Sequence, residues 1–284
     1  MAQIPMTGHK PTHGAEASPL GKTAAYRNTY APELLFPVPR SAKRAEIGVG
    51  ETLPFVGEDV WNAYEISWLN LKGKPVVAMG VFRVPATSPN LIESKSLKLY
   101  LNSFNGTALS GMDEARERMT RDLSAAAGAP VAIELFRLDD VRRDTDTLAG
   151  ECIDDLDVAM SDYQIAPEHL GTVEGSDVSE TLISHLLKSN CLVTGQPDWA
   201  TLYIRYRGRP IDRAGLLRYV VSFREHNEFH EQCVERVFVD LMARCQPETL
   251  AVWARYTRRG GLDINPFRST VGEALPPNGG DPRQ

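Results

Sequence analysis

A cysteine closes the strand-like run Lys188-Ser189-Asn190-Cys191, and an aspartate follows seven positions later across the turn Gly195-Gln196-Pro197-Asp198. A thiol is nucleophilic only as the thiolate, and with a free pKa of about 8.5 it needs a proton acceptor near neutral pH. Asp198 offers one. A bare carboxylate close by would also raise the thiol pKa through like-charge repulsion, so other groups must compensate. The spacing alone fits a buried structural cysteine beside a turn aspartate equally well.

Three further groups carry chemical side chains. His230 and Glu231 sit with Glu228 in a helix-forming run, where a solvated helix face is the ordinary reading. His226, His230 and Cys233, at spacings of four and three, would share one helix face and could hold zinc, but the His-Glu-x-x-His order is missing and no second ligand cluster lies nearby in sequence. Asn90 followed by Glu93 fits an N-cap with its capping-box acid. The helix start so formed, with Lys95 and Lys98, would attract anions. Arg258-Arg259-Gly260-Gly261 combines guanidinium groups with a flexible backbone, a combination that also suits a surface turn. A Gly-x-Gly-x-x-Gly fingerprint for dinucleotides is absent.

The elements that must position these groups come in two copies. Tyr100, Ser103, Phe104 and Ala132 recur 119 positions later as Tyr219, Ser222, Phe223 and Ala251, which indicates an internal duplication. In the first half, periodicity predicts strands over 64–71 and 76–84 around Lys72-Gly73-Lys74, helices over 91–105 and 113–127, and a strand over 131–138. In the second half it predicts strands over 181–187 and 199–206, helices over 213–225 and 228–244, and a strand over 250–257. The acidic, irregular stretch from about Asp139 to Gly175 holds the boundary. Residues 1–20 and 271–284 read as polar, flexible tails around two modules, 21–150 and 151–270.

Composition narrows the class. The chain has 284 residues, 42% hydrophobic and 24% charged, an ordinary globular balance. Lys and Arg number 31 against 37 Asp and Glu, a net charge of -6 and a poor footprint for gripping phosphate backbones, so direct nucleic-acid contact is not expected. Four scattered cysteines suggest reduced thiols in a cytoplasm. The chain has neither an apolar run near the roughly 18 residues of a membrane helix nor a signal-peptide core at its start.

The run around Cys191, together with Leu91-Ile92-Glu93-Ser94-Lys95-Ser96-Leu97-Lys98-Leu99-Tyr100-Leu101-Asn102-Ser103-Phe104 and Glu228-Phe229-His230-Glu231-Gln232-Cys233-Val234-Glu235, resembles the long, two-module form of the QueF nitrile reductase family. The resemblance runs from about Gly21 to Ser269. It implies an α+β fold of two tandem tunnelling-fold modules (ββααββ) forming barrel-like sheets with helices on one face, and a homodimer. It implies NADPH-dependent reduction of 7-cyano-7-deazaguanine to the 7-aminomethyl compound in queuosine synthesis, without a metal. Carried over by motif, Cys191 is the nucleophile, Asp198 moves protons and His230 contacts substrate and delivers a proton. Ile92, Glu93, Ser94, His230 and Glu231 bind the base, whereas Ser94, Lys95, Arg259 and Gly260 meet NADPH. Two other readings stand beside it: a zinc-dependent tunnelling-fold cyclohydrolase, and a purine-binding module without catalysis.

Overall fold

The computed structural model describes residues 26–141, 149–271 and 274–284; the expected N-terminal arm lies outside them. The first half runs β1 (Pro37–Pro39), α1 (Ser41–Glu46), β2 (Val56–Leu69), β3 (Pro75–Pro85), β4 (Asn90–Ile92), α2 (Ser94–Asn102), α3 (Met112–Ala127) and β5 (Ala132–Phe136). The second runs β6 (Glu151–Cys152), β7 (Val178–Asn190), β8 (Pro197–Gly208), α4 (Arg213–Ser222), α5 (His230–Cys245), β9 (Thr249–Tyr256) and β10 (Leu262–Ser269). Among the described residues, eight strands form one sheet in the order β5-β3-β2-β10-β9-β8-β7-β6. The two halves meet where β10 pairs antiparallel with β2.

The duplication extends to hydrogen bonds. Ser103 Oγ accepts from Ala31 N at 3.1 Å and donates to Tyr100 O at 2.6 Å, and the Tyr100 hydroxyl donates to Asp122 at 2.7 Å. In the second half Ser222 Oγ accepts from Ala166 N at 3.1 Å and donates to Tyr219 O at 2.6 Å, and the Tyr219 hydroxyl donates to Asp240 at 2.6 Å. Each long hairpin also carries a bulge, between Ala63 and Ile66 in β2 and between Ser184 and Leu187 in β7.

Both pairs of long helices pack on one face of the sheet. Leu97, Tyr100, Met119 and Leu123 meet Trp61, Trp68 and Phe82 in the first half. Leu217, Val220, Val234 and Phe238 meet Leu202, Ile204 and Val252 in the second. Each such side chain, fully buried, contributes about 1.5–3 kcal/mol relative to exposure. The expected barrel is not formed within the chain: the sheet is open, and β5 and β6 are its edges among the described residues.

Two other expectations need correction. Strand β10 escaped the periodicity because Pro266, Asp263 and Asn265 read against a central strand. Pro266 is tolerated because β10 pairs with β9 only from Phe267 onward, so its missing N–H breaks no ladder on that side. The C-terminal stretch, expected to be loose, lies against the sheet face away from the helices. Carbonyls of Ala274, Pro277 and Gly280 accept from Arg205 and Arg255, and Asn278 pairs with Asn62. A Pro- and Gly-rich segment without secondary structure has carbonyls to spare, and guanidinium groups on the sheet use them.

Candidate functional site

Cys191 follows the last residue of β7, in a turn that folds back on it. Its N–H donates to Gln196 O at 2.8 Å and its carbonyl accepts from Gly195 N at 3.0 Å, with Gly195 at φ 66°. That positive φ suits glycine, which has no Cβ to clash. The turn returns the chain into β8 so that Asp198 pairs in register with Ser189. Both the thiol residue and the aspartate are buried.

His230 and Glu231 open α5 instead of lying within it, because the helix starts two residues later than the sequence pattern predicts. Gln232 caps that start by accepting from Phe229 N at 3.2 Å. The His230 ring stacks on Tyr256 at the end of β9, with centroids 3.8 Å apart, and its Nε2 lies 3.3 Å from Asp198 Oδ2. The other Asp198 oxygen takes Arg259 at 2.6 Å. Asp198 thus sits between a guanidinium and an imidazole, and the guanidinium offsets its negative charge on the same pocket wall as the Cys191 thiol.

Glu231 is fully buried, and its acidity is set by where the two halves meet. Burial, followed by the nearby Asp59 carboxylate, pushes its pKa up to about 7, while His230 and Arg40 pull the other way. Asp59 and Arg40 belong to a closed lattice of buried ions. Arg268 bridges Asp59 at 2.8 Å and Glu235 at 2.8 Å, Arg40 pairs with Asp59 at 2.6 Å, and Arg44 with Glu235 at 2.7 Å. Burial would raise both carboxyls, but the guanidinium groups outweigh it and hold Asp59 and Glu235 below the usual range. The sequence offered no periodic signal for this lattice, since its members come from α1, β2, α5 and β10.

One pocket gathers Cys191, Asp198, His230, Glu231 and Arg259 from the second half with Ile92 and Ser94 from the first. Sequence reasoning missed its other walls, Trp61, Leu91, Glu228, Phe229 and Ile264. Apolar Trp61 and Ile264 pair across β2 and β10, a contact that no local pattern announces.

Glu93, expected to border the base, is not on the pocket wall. It is itself the N-cap of α2, its carboxylate accepting from Lys95 N at 2.7 Å and Ser96 N at 2.8 Å; Asn90 lies in β4 and caps nothing there. Lys95 and Gly260 also lie off this wall. Gly260 lines a neighbouring hollow with Lys98, Asn102 and Glu65. Gly260 and Gly261, at φ 61° and 78°, form a tight turn between β9 and β10 that Arg259 and Leu262 close with reciprocal backbone hydrogen bonds.

The zinc reading of His226, His230 and Cys233 loses its premise. His226 precedes α5 and its Nε2 pairs with Glu228 at 2.9 Å, while His230 is turned to Asp198. Cys233 is wholly buried, and burial, aided by Glu228, raises its thiol well above the ordinary range.

Known proteins resemble this chain along nearly its whole length. The family described as "Nitrile reductase, 7-cyano-7-deazaguanine-reductase N-term" matches residues 26–135, and the "QueF-like protein" family matches residues 197–274. A protein of Dechloromonas aromatica (strain RCB) named NADPH-dependent 7-cyano-7-deazaguanine reductase is 63% identical over 276 residues, 96% of each chain. Proteins of the same name from Aromatoleum aromaticum (64% identical, 91% of this chain and 92% of that one) and Azoarcus sp. strain BH72 (65%, 92% and 93%) are equally similar. A solved structure, the apo form of the archaeosine synthase QueF-Like, aligns over 36% of this chain at 17% identity with a TM-score of 0.30, too slight a likeness to bear on the fold. With such identity sustained along nearly its whole length, the chain belongs to the QueF family of NADPH-dependent 7-cyano-7-deazaguanine reductases.

Proposed function

We propose that this chain is an NADPH-dependent nitrile reductase, converting 7-cyano-7-deazaguanine to 7-aminomethyl-7-deazaguanine for queuosine synthesis, with Cys191 as covalent catalyst. The observation that carries this reading is the meeting, in one pocket, of a thiol, a carboxylate held between a guanidinium and an imidazole, and a second, buried carboxylate. A nitrile is a reluctant hydride acceptor. Addition of the Cys191 thiolate to its carbon gives a thioimide, whose C=N carbon is a better one. Asp198 takes the thiol proton, and with His230 it returns a proton to the nitrogen as the adduct forms. After one hydride and one proton the adduct expels the thiolate to leave a protonated imine, a second hydride yields the amine, and a second proton restores the Cys191 thiol. NADPH supplies both hydrides. Glu231 reads the base, since one ionised carboxylate accepts from a ring N–H and the adjacent amino group together.

The residues present suit the dinucleotide's phosphates. Arg259 lies at the pocket, and Lys95 and Lys98 project from the first turns of α2. Glu93 already occupies two N–H groups of that helix end, so charged side chains rather than the helix terminus would meet the phosphates. Lys95→Ala and Arg259→Ala are each expected to raise KM for NADPH roughly ten- to a hundredfold, the worth of one charge-assisted hydrogen bond, and KM for the cyano base less. Steady-state kinetics with each substrate varied in turn checks this; unchanged constants would remove both residues from the cofactor site.

At the level of architecture, residues 21–150 and 151–270 act as two tunnelling-fold modules. Closing an open sheet removes edges that would otherwise invite aggregation, and a second copy meeting β5 and β6 would provide that closure in a cytoplasmic homodimer. The test of the activity is stoichiometric. Nitrile to primary amine takes four electrons and each NADPH gives two, so two NADPH should be oxidised per amine formed. Cofactor absorbance and product mass measured on one sample decide it. One NADPH per product, or no oxidation by folded protein, would overturn the reading.

A further inference from the structure

Away from this pocket, the segment joining the two halves carries a second cluster of reactive side chains. Strand β6 is only two residues long and runs parallel to β7, pairing Glu151 with Leu182 and Cys152 with Ile183. So short a ladder is a weak attachment for an edge strand. Cys152 and Asp154 flank Ile153, whose N–H continues the pairing by donating to Ile183 O at 3.0 Å. Opposite them His185 occupies the bulge of β7, and a bulge re-aims the side chain it carries. As a result one donor atom from each of Cys152, Asp154 and His185 lies within 4.8 Å of the other two.

We propose that Cys152, Asp154 and His185 bind a zinc ion, with a water in the fourth position, that fastens the segment between the halves to the edge of the second half's sheet. The donor set is the first support. A thiolate favours zinc over magnesium or calcium, and imidazole and carboxylate complete a common set of zinc ligands. Bonds of about 2.0–2.3 Å to zinc place tetrahedral ligand atoms roughly 3.4–3.8 Å apart, so the three need approach by only about an ångström. Cys152 and His185 are exposed, so solvent leaves room for that adjustment.

Outer contacts are the second support. Asp154 Oδ1 accepts from Ser184 Oγ at 2.6 Å and Oδ2 from His185 N at 2.8 Å, which fixes the carboxylate plane and leaves a lone pair on each oxygen. Thr201 Oγ1 lies 3.0 Å from His185 Nδ1 and orients the ring. Such partners orient metal ligands and set their basicity.

Cobalt(II) titration of metal-stripped protein tests the site independently of any reductase activity. The wild-type chain should bind one equivalent, with visible bands of a four-coordinate ion and a near-ultraviolet thiolate-to-cobalt band. Cys152→Ser should lose the thiolate band, and His185→Gln should weaken binding at least about tenfold. Cys191→Ala should keep both signals. Zinc should raise the Tm of wild type but not of Cys152→Ser, whereas without metal the melts should coincide, because both substituted side chains are exposed. Sub-stoichiometric binding, a thiolate band that survives Cys152→Ser, or one lost in Cys191→Ala would overturn the proposal.

Discussion

Cys191→Ala is expected to abolish nitrile reduction while leaving binding of the cyano base measurable. The loss should be complete within detection, because without the thiolate the nitrile carbon is never converted to a thioimide, and no neighbouring nucleophile can take over. The other buried thiols on this side of the sheet, Cys233 and Cys245, are both held protonated by burial in the core of the second half. Base affinity should persist because the carboxylate that reads the ring belongs to α5, while Cys191 belongs to the turn between β7 and β8. Intact mass spectrometry makes the distinction direct. Wild type mixed with the nitrile and no NADPH should gain one base mass, mapped to the peptide containing Cys191, and the variant should gain none. An adduct on another residue would sink the assignment.

Glu231→Ala should weaken binding of the base by roughly 10²–10⁴-fold, the worth of two hydrogen bonds to a charged group at about 1.5–3 kcal/mol each. Calorimetry at pH 8 measures it; near-wild-type affinity would return Glu231 to the role of a structural helix residue. The wild-type pH dependence has a definite sign. With no ligand bound, the carboxyl titrates at about 7, and the bound base requires it ionised. Affinity should therefore fall as pH drops below about 7, by up to about tenfold per unit.

Stability should move the opposite way. Because the folded pKa of about 7 exceeds the ordinary 4.5, the buried carboxylate costs stability once it must ionise. Glu231→Gln should thus melt higher than wild type, by a margin that grows from about pH 4.5 to about pH 7 and is flat above. Thermal melts across that range check it. A variant both more stable and unable to bind would identify Glu231 as a residue kept for recognition at the expense of the fold.

Much of the site was legible along the chain because its key groups are local. The turn carrying Cys191 and Asp198 is written in Gly195 and Pro197, and the start of α5 in the run from Glu228 to Glu235. The duplication was legible for the same reason: a hydrogen-bonded tyrosine and serine at the C-terminal ends of α2 and α4 repeat at one offset. Other features required distant segments to meet. Glu93 reads as a capping-box acid three residues after Asn90, yet Asn90 is drawn into β4 by pairing with Pro39, and Glu93 becomes the cap itself. The acidity of Glu231 depends on Asp59 and Arg40, more than 170 positions away in sequence, brought beside it when β10 pairs with β2. Hydrophobic periodicity reports which face of an element is buried, and it is silent on which other element buries it. The ion lattice, the guanidinium and imidazole partners of Asp198 and the second half's edge cluster all lie at such meetings, where side-chain charge and burial depend on neighbours that the local sequence does not contain.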